Sequence, residues 1–183
     1  MTMPTLRSAF VETPIGILQI SASERGLVSL AFTDPHPSVS LPPQGEGRTG
    51  GGSNRSHPSA DNSETSVEPV LEEAARQIKE YFSGARRDFA DLPLAIAGSS
   101  FSQDVWEQVR RVPYGSTLTY GQIAASLRKE GAARAVGRAV GANPLCIIIP
   151  CHRILPSDGS LGGFAWGTER KKWLLELENI SVR

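Results

Sequence analysis

Cys151 stands directly before His152 and Arg153, an order of residue types from which a thiol nucleophile can be built. A free thiol, with a pKa of about 8.5, is only a few per cent thiolate at neutral pH. A cysteine nucleophile therefore needs a base or positive charge beside it; His152 offers the first and Arg153 the second. Adjacency alone does not join side chains, because neighbours on a strand point to opposite faces. A cysteine is also at home as a small core hydrophobe. Cys146 takes that blander reading, as apolar filler beside Ile147, Ile148 and Ile149. This β-branched run is expected to be buried, and it delivers the chain through Pro150 to Cys151.

The elements that must position this segment follow from periodicity and turn residues. Leu6 to Val11, Gly16 to Ile20 and Leu27 to Phe32 are short apolar runs separated by Thr13-Pro14 and Glu24-Arg25-Gly26, which predicts an antiparallel meander. Residues 34–69 are rich in Pro, Ser, Gly and Asn, include Gly50-Gly51-Gly52-Ser53 and contain no aromatic residue. That composition predicts a disordered or loosely held surface loop. Leu71, Ala74, Ala75, Ile78, Tyr81 and Phe82 then share one helix face that closes at Gly84. An extended stretch over 89–96 follows, and Val105, Trp106 and Val109 predict a helix over 102–111.

Thr119-Tyr120-Gly121-Gln122 has the form of a capping box, with Ile123, Ala124 and Leu127 on one face after it. Residues 132–140 predict a second short helix, stopped by Gly141 and Asn143-Pro144. Two short helices joined by a glycine-containing turn have the form of a helix-turn-helix, a form that ordinary helical hairpins share. The second helix is rich in alanine and glycine, so its backbone can approach a groove closely. Its Arg134 and Arg138 share a face, and no acid occurs between Gly131 and Arg153.

Charge and composition narrow the classes. Formal net charge is zero, but from Phe101 to Arg153 seven Lys or Arg stand against three acids. This mild basic bias suits a phosphate-facing surface and equally a solvated one. Two cysteines do not make a disulfide framework, and a reducing compartment is expected. His36, His57 and His152 are scattered without zinc-ligand spacing, so no metal is expected. No segment approaches the roughly 20 apolar residues of a membrane span, and the N-terminal residues lack a secretory pattern. An intracellular protein, cytoplasmic or nuclear in a eukaryote, is expected.

Pro150-Cys151-His152-Arg153, behind Asn143-Pro144 and a helix-turn-helix, resembles the O6-alkylguanine-DNA alkyltransferase family, whose active-site signature is Pro-Cys-His-Arg after a short apolar run. The resemblance continues through Gly159, Gly162-Gly163-Phe164, Trp166-Gly167, Arg170-Lys171, Trp173-Leu174-Leu175 and Glu178. It extends back through Thr119-Tyr120-Gly121-Gln122-Ile123-Ala124, Pro113-Tyr114-Gly115 and Val105-Trp106 to Phe101, so that residues 98–179 match almost throughout. Thr13-Pro14-Ile15-Gly16 and Tyr81-Phe82-Ser83-Gly84 match more loosely. The resemblance implies an α/β (α+β) two-domain fold. Residues 1–97 would form a small ribonuclease H-like domain with an antiparallel sheet. Residues 98–183 would form a mostly helical DNA-binding domain of winged-helix-like or helix-turn-helix form.

The same resemblance implies direct DNA repair by a single, stoichiometric transfer of the alkyl group from O6-alkylguanine, and from O4-alkylthymine, to Cys151. His152 would take the thiol proton through a water, Glu178 would orient the imidazole, and Asn143 would support the thiol's surroundings. Tyr120 would act on the departing guanine. The partner would be double-stranded DNA, bound through the minor groove by a monomer, with the damaged base flipped out and Arg134 filling its place. Ser102 and Ser157 would touch the DNA backbone, while Val140, Ile154, Leu161 and Phe164 would line the base pocket. No cofactor is implied. The chain departs from the family in having Phe164 where some members have tyrosine, in Gly98-Ser99-Ser100-Phe101, and in a longer 34–69 insert. The N-terminal unit has no cysteine for the zinc of some relatives. Cys151 argues against the rival reading, a non-catalytic alkylated-DNA recognition protein. An alkylation-sensing regulator would need a fused regulatory domain, and a cysteine hydrolase would leave the helix-turn-helix unexplained.

Overall fold

The computed structural model describes residues 6–33 and 67–182. Strands β1 (Arg7–Thr13), β2 (Gly16–Ser23) and β3 (Gly26–Phe32) form an antiparallel sheet in that order, the meander expected from the sequence. β1 and β2 outrun their apolar residues because backbone pairing continues through Thr13↔Gly16 and Ser23↔Gly26, whatever the side chains. The Thr13 hydroxyl donates to Gly16 O at 2.5 Å and closes the β1–β2 turn.

Helix α1 (Glu68–Phe82) lies against β1 and β2 and buries Leu71, Ala74, Ile78 and Tyr81. Residues 67–69, assigned from composition to the loop, instead begin this helix: Val67 is its N-cap and Pro69 occupies its first turn, where a missing N–H costs nothing. The remainder of that segment, 34–66, lies outside the described residues.

The second half is mostly helical, as expected. α2 (Ser100–Arg110), α3 (Tyr120–Ser126) and α4 (Ala133–Gly141) pack on one another. Trp106 Nε1 donates to Ala139 O at 2.7 Å, tying α2 to α4. α2 starts before its apolar periodicity because the Ser99 side chain caps it, accepting from Ser102 N. The capping box at α3 is complete: Thr119 Oγ1 accepts from Gln122 N, and Gln122 Oε1 accepts from Thr119 N. Short strands β4 (Leu118–Thr119) and β5 (Ile154–Leu155) pair in parallel, and α5 (Thr168–Leu177) completes the unit.

The outer edge of β3 joins the halves. Leu27 N donates to Pro93 O and Ala95 N to Leu27 O, both at 2.8 Å. Farther along, Leu30 N donates to Pro144 O at 2.8 Å and Cys146 N to Leu30 O at 3.0 Å. Only glycine fits at position 26: its φ is +129°, and a Cβ there would lie 2.5 Å from Pro93 O. The N-terminal sheet thus holds the segment that leads to Cys151, and a continuous core runs through both halves.

Candidate active site

After α4 the chain turns tightly, and Asn143 ties the turn together. Its side-chain amide donates to Ile149 O at 2.8 Å, and its Oδ1 accepts from Leu145 N at 3.0 Å. Inside the turn Ile147 has φ +71°, a left-handed conformation that costs a β-branched residue about 1–3 kcal/mol. The isoleucines are buried, as expected, within this turn. Cys151–Arg153 then form a single 3-10 turn. Cys151, 7% exposed, lines a cavity of about 350 Å³ with Tyr120, Gly137, Val140, Asn143, Phe164 and Trp166 among its walls.

Behind the cysteine, His152 and Arg153 converge on Glu178, just past α5. His152 Nε2 lies 2.9 Å from Glu178 Oε1, Arg153 Nη2 donates to Oε1 and Arg153 Nε to Oε2, each at 2.8 Å. Gly115 N donates to Oε2 at 3.2 Å and the Tyr81 hydroxyl to Oε1 at 2.7 Å. Arg153 Nη1 also reaches Val112 O. Burial alone would raise the Glu178 carboxyl, but the hydrogen bonds and charges of His152 and Arg153 win and hold it at about 2. An ionised carboxylate only accepts, so Nε2 carries the imidazole proton and Nδ1 the lone pair. Nδ1 is buried and has no hydrogen-bond partner among the described residues.

Burial pushes the Cys151 thiol up, and the Asn143 amide and the Lys171 charge offset only part of that. Burial pushes His152 down, against the pull of Glu178. The resting pair is therefore a neutral thiol and a neutral imidazole with its basic nitrogen free. Burial also lowers Lys171 to about 8, while the charge of Cys151 acts the other way. Its ammonium donates to Ile154 O at 2.9 Å and Gly163 O at 3.4 Å. These bonds brace the cavity wall that carries Phe164.

A second, more open cavity of about 570 Å³ adjoins the first; Tyr120 and Gly137 line both. Arg134, Arg138 and Ser157 line it too, so Arg134, Ser157 and Tyr120 share one cavity. Ser102 does not join them: it sits in the first turn of α2, its hydroxyl 3.0 Å from that of Ser99. Val140 and Phe164 line the cysteine's cavity, but Ile154 and Leu161 do not. Ile154 is wholly buried in β5, where it pairs with Leu118, and Leu161 is half-buried outside the lining. Sequence reasoning gave no site role to Tyr81, read as a helix-face residue within a loose family match, or to Lys171, which is buried. Among the described residues, no group of three or more metal-binding side chains occurs, and no helix is long and apolar enough to cross a membrane.

The chain is similar to known proteins along nearly its whole length. Residues 6–96 match the family described as 6-O-methylguanine DNA methyltransferase, ribonuclease-like domain, and residues 100–180 match its DNA binding domain. The methylated-DNA--protein-cysteine methyltransferase of Methanosarcina barkeri is 40% identical over 173 residues, covering 94% of this chain and 97% of that protein. The protein of the same name from Mycolicibacterium paratuberculosis is 37% identical over 168 residues, covering 92% and 89%. The crystal structure of Mycobacterium tuberculosis O6-methylguanine methyltransferase superposes with a TM-score of 0.71 at 32% identity, covering 95% of this chain and 93% of that one. The same organism's OGT in complex with DNA gives 0.71 at 34% identity, covering 94% and 91%. With a signature cysteine in a cavity, a carboxylate-held histidine behind it and relatives matched along nearly its whole length, this chain belongs to the 6-O-methylguanine DNA methyltransferase family.

Proposed function

We propose that this protein repairs DNA by taking the alkyl group of O6-alkylguanine onto Cys151, once per molecule, and that O4-alkylthymine is a second substrate. The observation that carries the reading is Cys151 at a cavity contiguous with the groove of Arg134, Arg138 and Ser157, backed by an imidazole whose Nδ1 has no hydrogen-bond partner among the described residues. The thiol proton passes through a water to His152 Nδ1, and Glu178 supports the resulting imidazolium. The thiolate attacks the alkyl carbon in line: an S–C bond forms, the C–O6 bond breaks, and its electron pair goes to the guanine. Tyr120, at the junction of the two cavities, hydrogen-bonds the departing base as that charge develops. Asn143 holds the Cys151 turn in place. A thioether is stable to the groups that line the cavity among the described residues, so the protein is consumed, and no cofactor takes part.

A base inside a duplex is out of reach of a recessed thiol, so the target must be flipped out at a cost of a few kcal/mol. Arg134 occupies the vacated place from the minor groove, where the small residues of α4 allow close approach. Val140 and Phe164 contact the flipped base. Ser157 contacts the DNA backbone, and Ser102 does so from the start of α2, outside the groove. Residues 1–97 act as the supporting unit and 98–183 as the DNA-binding unit of a monomer.

Intact mass after incubation with a duplex carrying one O6-methylguanine tests the proposal, with Cys151→Ala and Cys146→Ala alongside. A gain of about 14 Da that stops at one equivalent and is lost only in Cys151→Ala is the expected result. An O4-methylthymine duplex tests the second substrate in the same way. Tight binding to the lesion without a mass gain would leave a recognition protein and end the catalytic claim.

A further inference from the structure

Helix α1 packs on the N-terminal sheet, yet its last turn sends Tyr81 into the network behind Cys151. The Tyr81 hydroxyl donates to Glu178 Oε1 at 2.7 Å and lies 3.5 Å from His152 Nε2. Oε1 therefore serves three donors at once, because His152 Nε2–H and Arg153 Nη2 use the same atom. A carboxylate oxygen offers about two lone-pair sites, so the third donor takes density from the other two bonds. The ring is fully buried and held by Phe82, Phe89 and Tyr114, with centroids 5.5, 5.6 and 6.3 Å away. That cage fixes the hydroxyl's direction.

We propose that Tyr81 is a positioning residue for the transfer at Cys151: its hydroxyl holds Glu178 in place beneath His152 and limits how strongly that carboxylate supports a protonated imidazole. The inference deepens the function proposed above and rests on His152 as the acceptor of the thiol proton. The hydroxyl belongs to the unit that does not carry the cysteine, so it is also a direct chemical link between the two halves. Burial and the nearby carboxylate keep the phenol protonated, hence a donor throughout the working range. The other charged or titratable groups facing His152 and Glu178 are Cys151 and Arg153 on the 3-10 turn, Lys171 on α5 and Tyr114 before α3. Arg87 lies over the Tyr114 ring. All of them stay in place when Tyr81 alone is changed.

Tyr81→Phe keeps the ring and removes the hydroxyl. Oε1 then serves two donors, its charge concentrates on the His152 bond, and the imidazolium gains support. Side-chain 15N NMR of the full chain without DNA reads this directly, with His152 identified by its loss in His152→Asn. The His152 titration midpoint is expected to rise by about one unit, a tenfold change in its protonation equilibrium. The acid limb of the single-turnover rate should move up with it. Biosynthetic 3-fluorotyrosine, a stronger hydrogen-bond donor, should move the midpoint the opposite way, and it supplies a test if Tyr81→Phe does not fold. Tyr114 and Tyr120 are labelled too, but Tyr114 donates to Leu177 O and Tyr120 lies in the cavity. An unmoved His152 midpoint, or shifts of the reverse sign, would overturn the inference and leave Tyr81 as packing only. The NMR readout needs no substrate, so its failure is distinct from a failure of the wild-type protein to take up an alkyl group.

Discussion

Glu178 receives five hydrogen bonds on two oxygens, from Tyr81, Gly115, His152 and, twice, Arg153. Its folded pKa of about 2 lies below the ordinary 4.5, so the unfolded chain binds the proton more readily. The stability this carboxylate contributes is complete above about pH 4.5 and is lost as pH falls toward 2. Glu178→Gln removes the charge and leaves the Arg153 guanidinium buried without its counter-ion. Breaking a buried pair from one side costs about 3–5 kcal/mol, a loss that urea unfolding at pH 7 would register. The variant should also show a flatter dependence of stability on pH between 4.5 and 2, and at least a tenfold slower alkyl uptake because the imidazolium loses its partner. Retention of wild-type stability would contradict this account of the network. At this scale the Cys-His-Arg triplet was legible because three adjacent residue types could together make a thiol nucleophile. Tyr81 was not, since it meets Glu178 across 97 positions, and a tyrosine on an apolar helix face looks like core. The burial of Lys171 was hidden too, because nothing in Arg170-Lys171-Lys172 distinguishes the two buried cations from the exposed one beside them.

At the scale of elements, α4 matters as much for what it lacks as for its arginines. Gly137 lines both the cysteine's cavity and the arginine-bearing groove, and a Cβ there would meet the Tyr120 ring at 3.8 Å, an ordinary contact. Gly137→Ala should therefore fit and, by improving helix propensity, raise stability by up to about 1 kcal/mol. Gly137→Leu should keep the fold but extend into the space where the two cavities meet. Thermal melts should place both variants at or above wild type, while intact-mass assays should find methyl uptake preserved in Gly137→Ala and at least tenfold slower in Gly137→Leu. Full uptake by the leucine variant would mean that substrate does not enter beside α4. Helices α3 and α4 were readable because their signals are local: a capping box at one end, glycine and Asn-Pro at the other. The pairing of β3 with residues 93–95 and 144–146 left no such trace. It depends on backbone groups, which are the same for every sequence except where Gly26 makes room. Part of the pocket wall, Ile154 and Leu161, was hidden for a similar reason. Whether Ile154 faces the cavity depends on its pairing with Leu118, which no periodicity in a two-residue strand can reveal.

The halves exchange essential parts across one continuous core, so the whole molecule is expected to unfold as one cooperative object. The N-terminal unit contributes the β3 edge that seats Cys146 and the hydroxyl of Tyr81. From the other side, α5 returns Arg170, whose Nε donates to Ile15 O at 2.9 Å and whose guanidinium lies 4.0 Å over the Phe32 ring. Nη1 of the same side chain reaches Trp166 O at 3.3 Å, so one buried cation spans the sheet, the cavity wall and the last helix. Composition could divide the chain near residue 98, but it could not show how much is shared across that division. The sharing has a measurable consequence. Arg170→Met keeps much of the buried volume while removing the donors to Ile15 O and Trp166 O and the cation over Phe32, a loss of at least about 1–3 kcal/mol for each buried acceptor left unsatisfied. Trp106, Trp166 and Trp173 all lie beyond residue 98, so their fluorescence follows the C-terminal half. Amide exchange in β2 follows the N-terminal half. If the core is continuous, denaturant unfolding is a single transition, and Arg170→Met lowers the free energy seen by both probes equally. A loss confined to the β2 amides, with tryptophan fluorescence unmoved, would show that the halves unfold independently and that Arg170 steadies only the sheet.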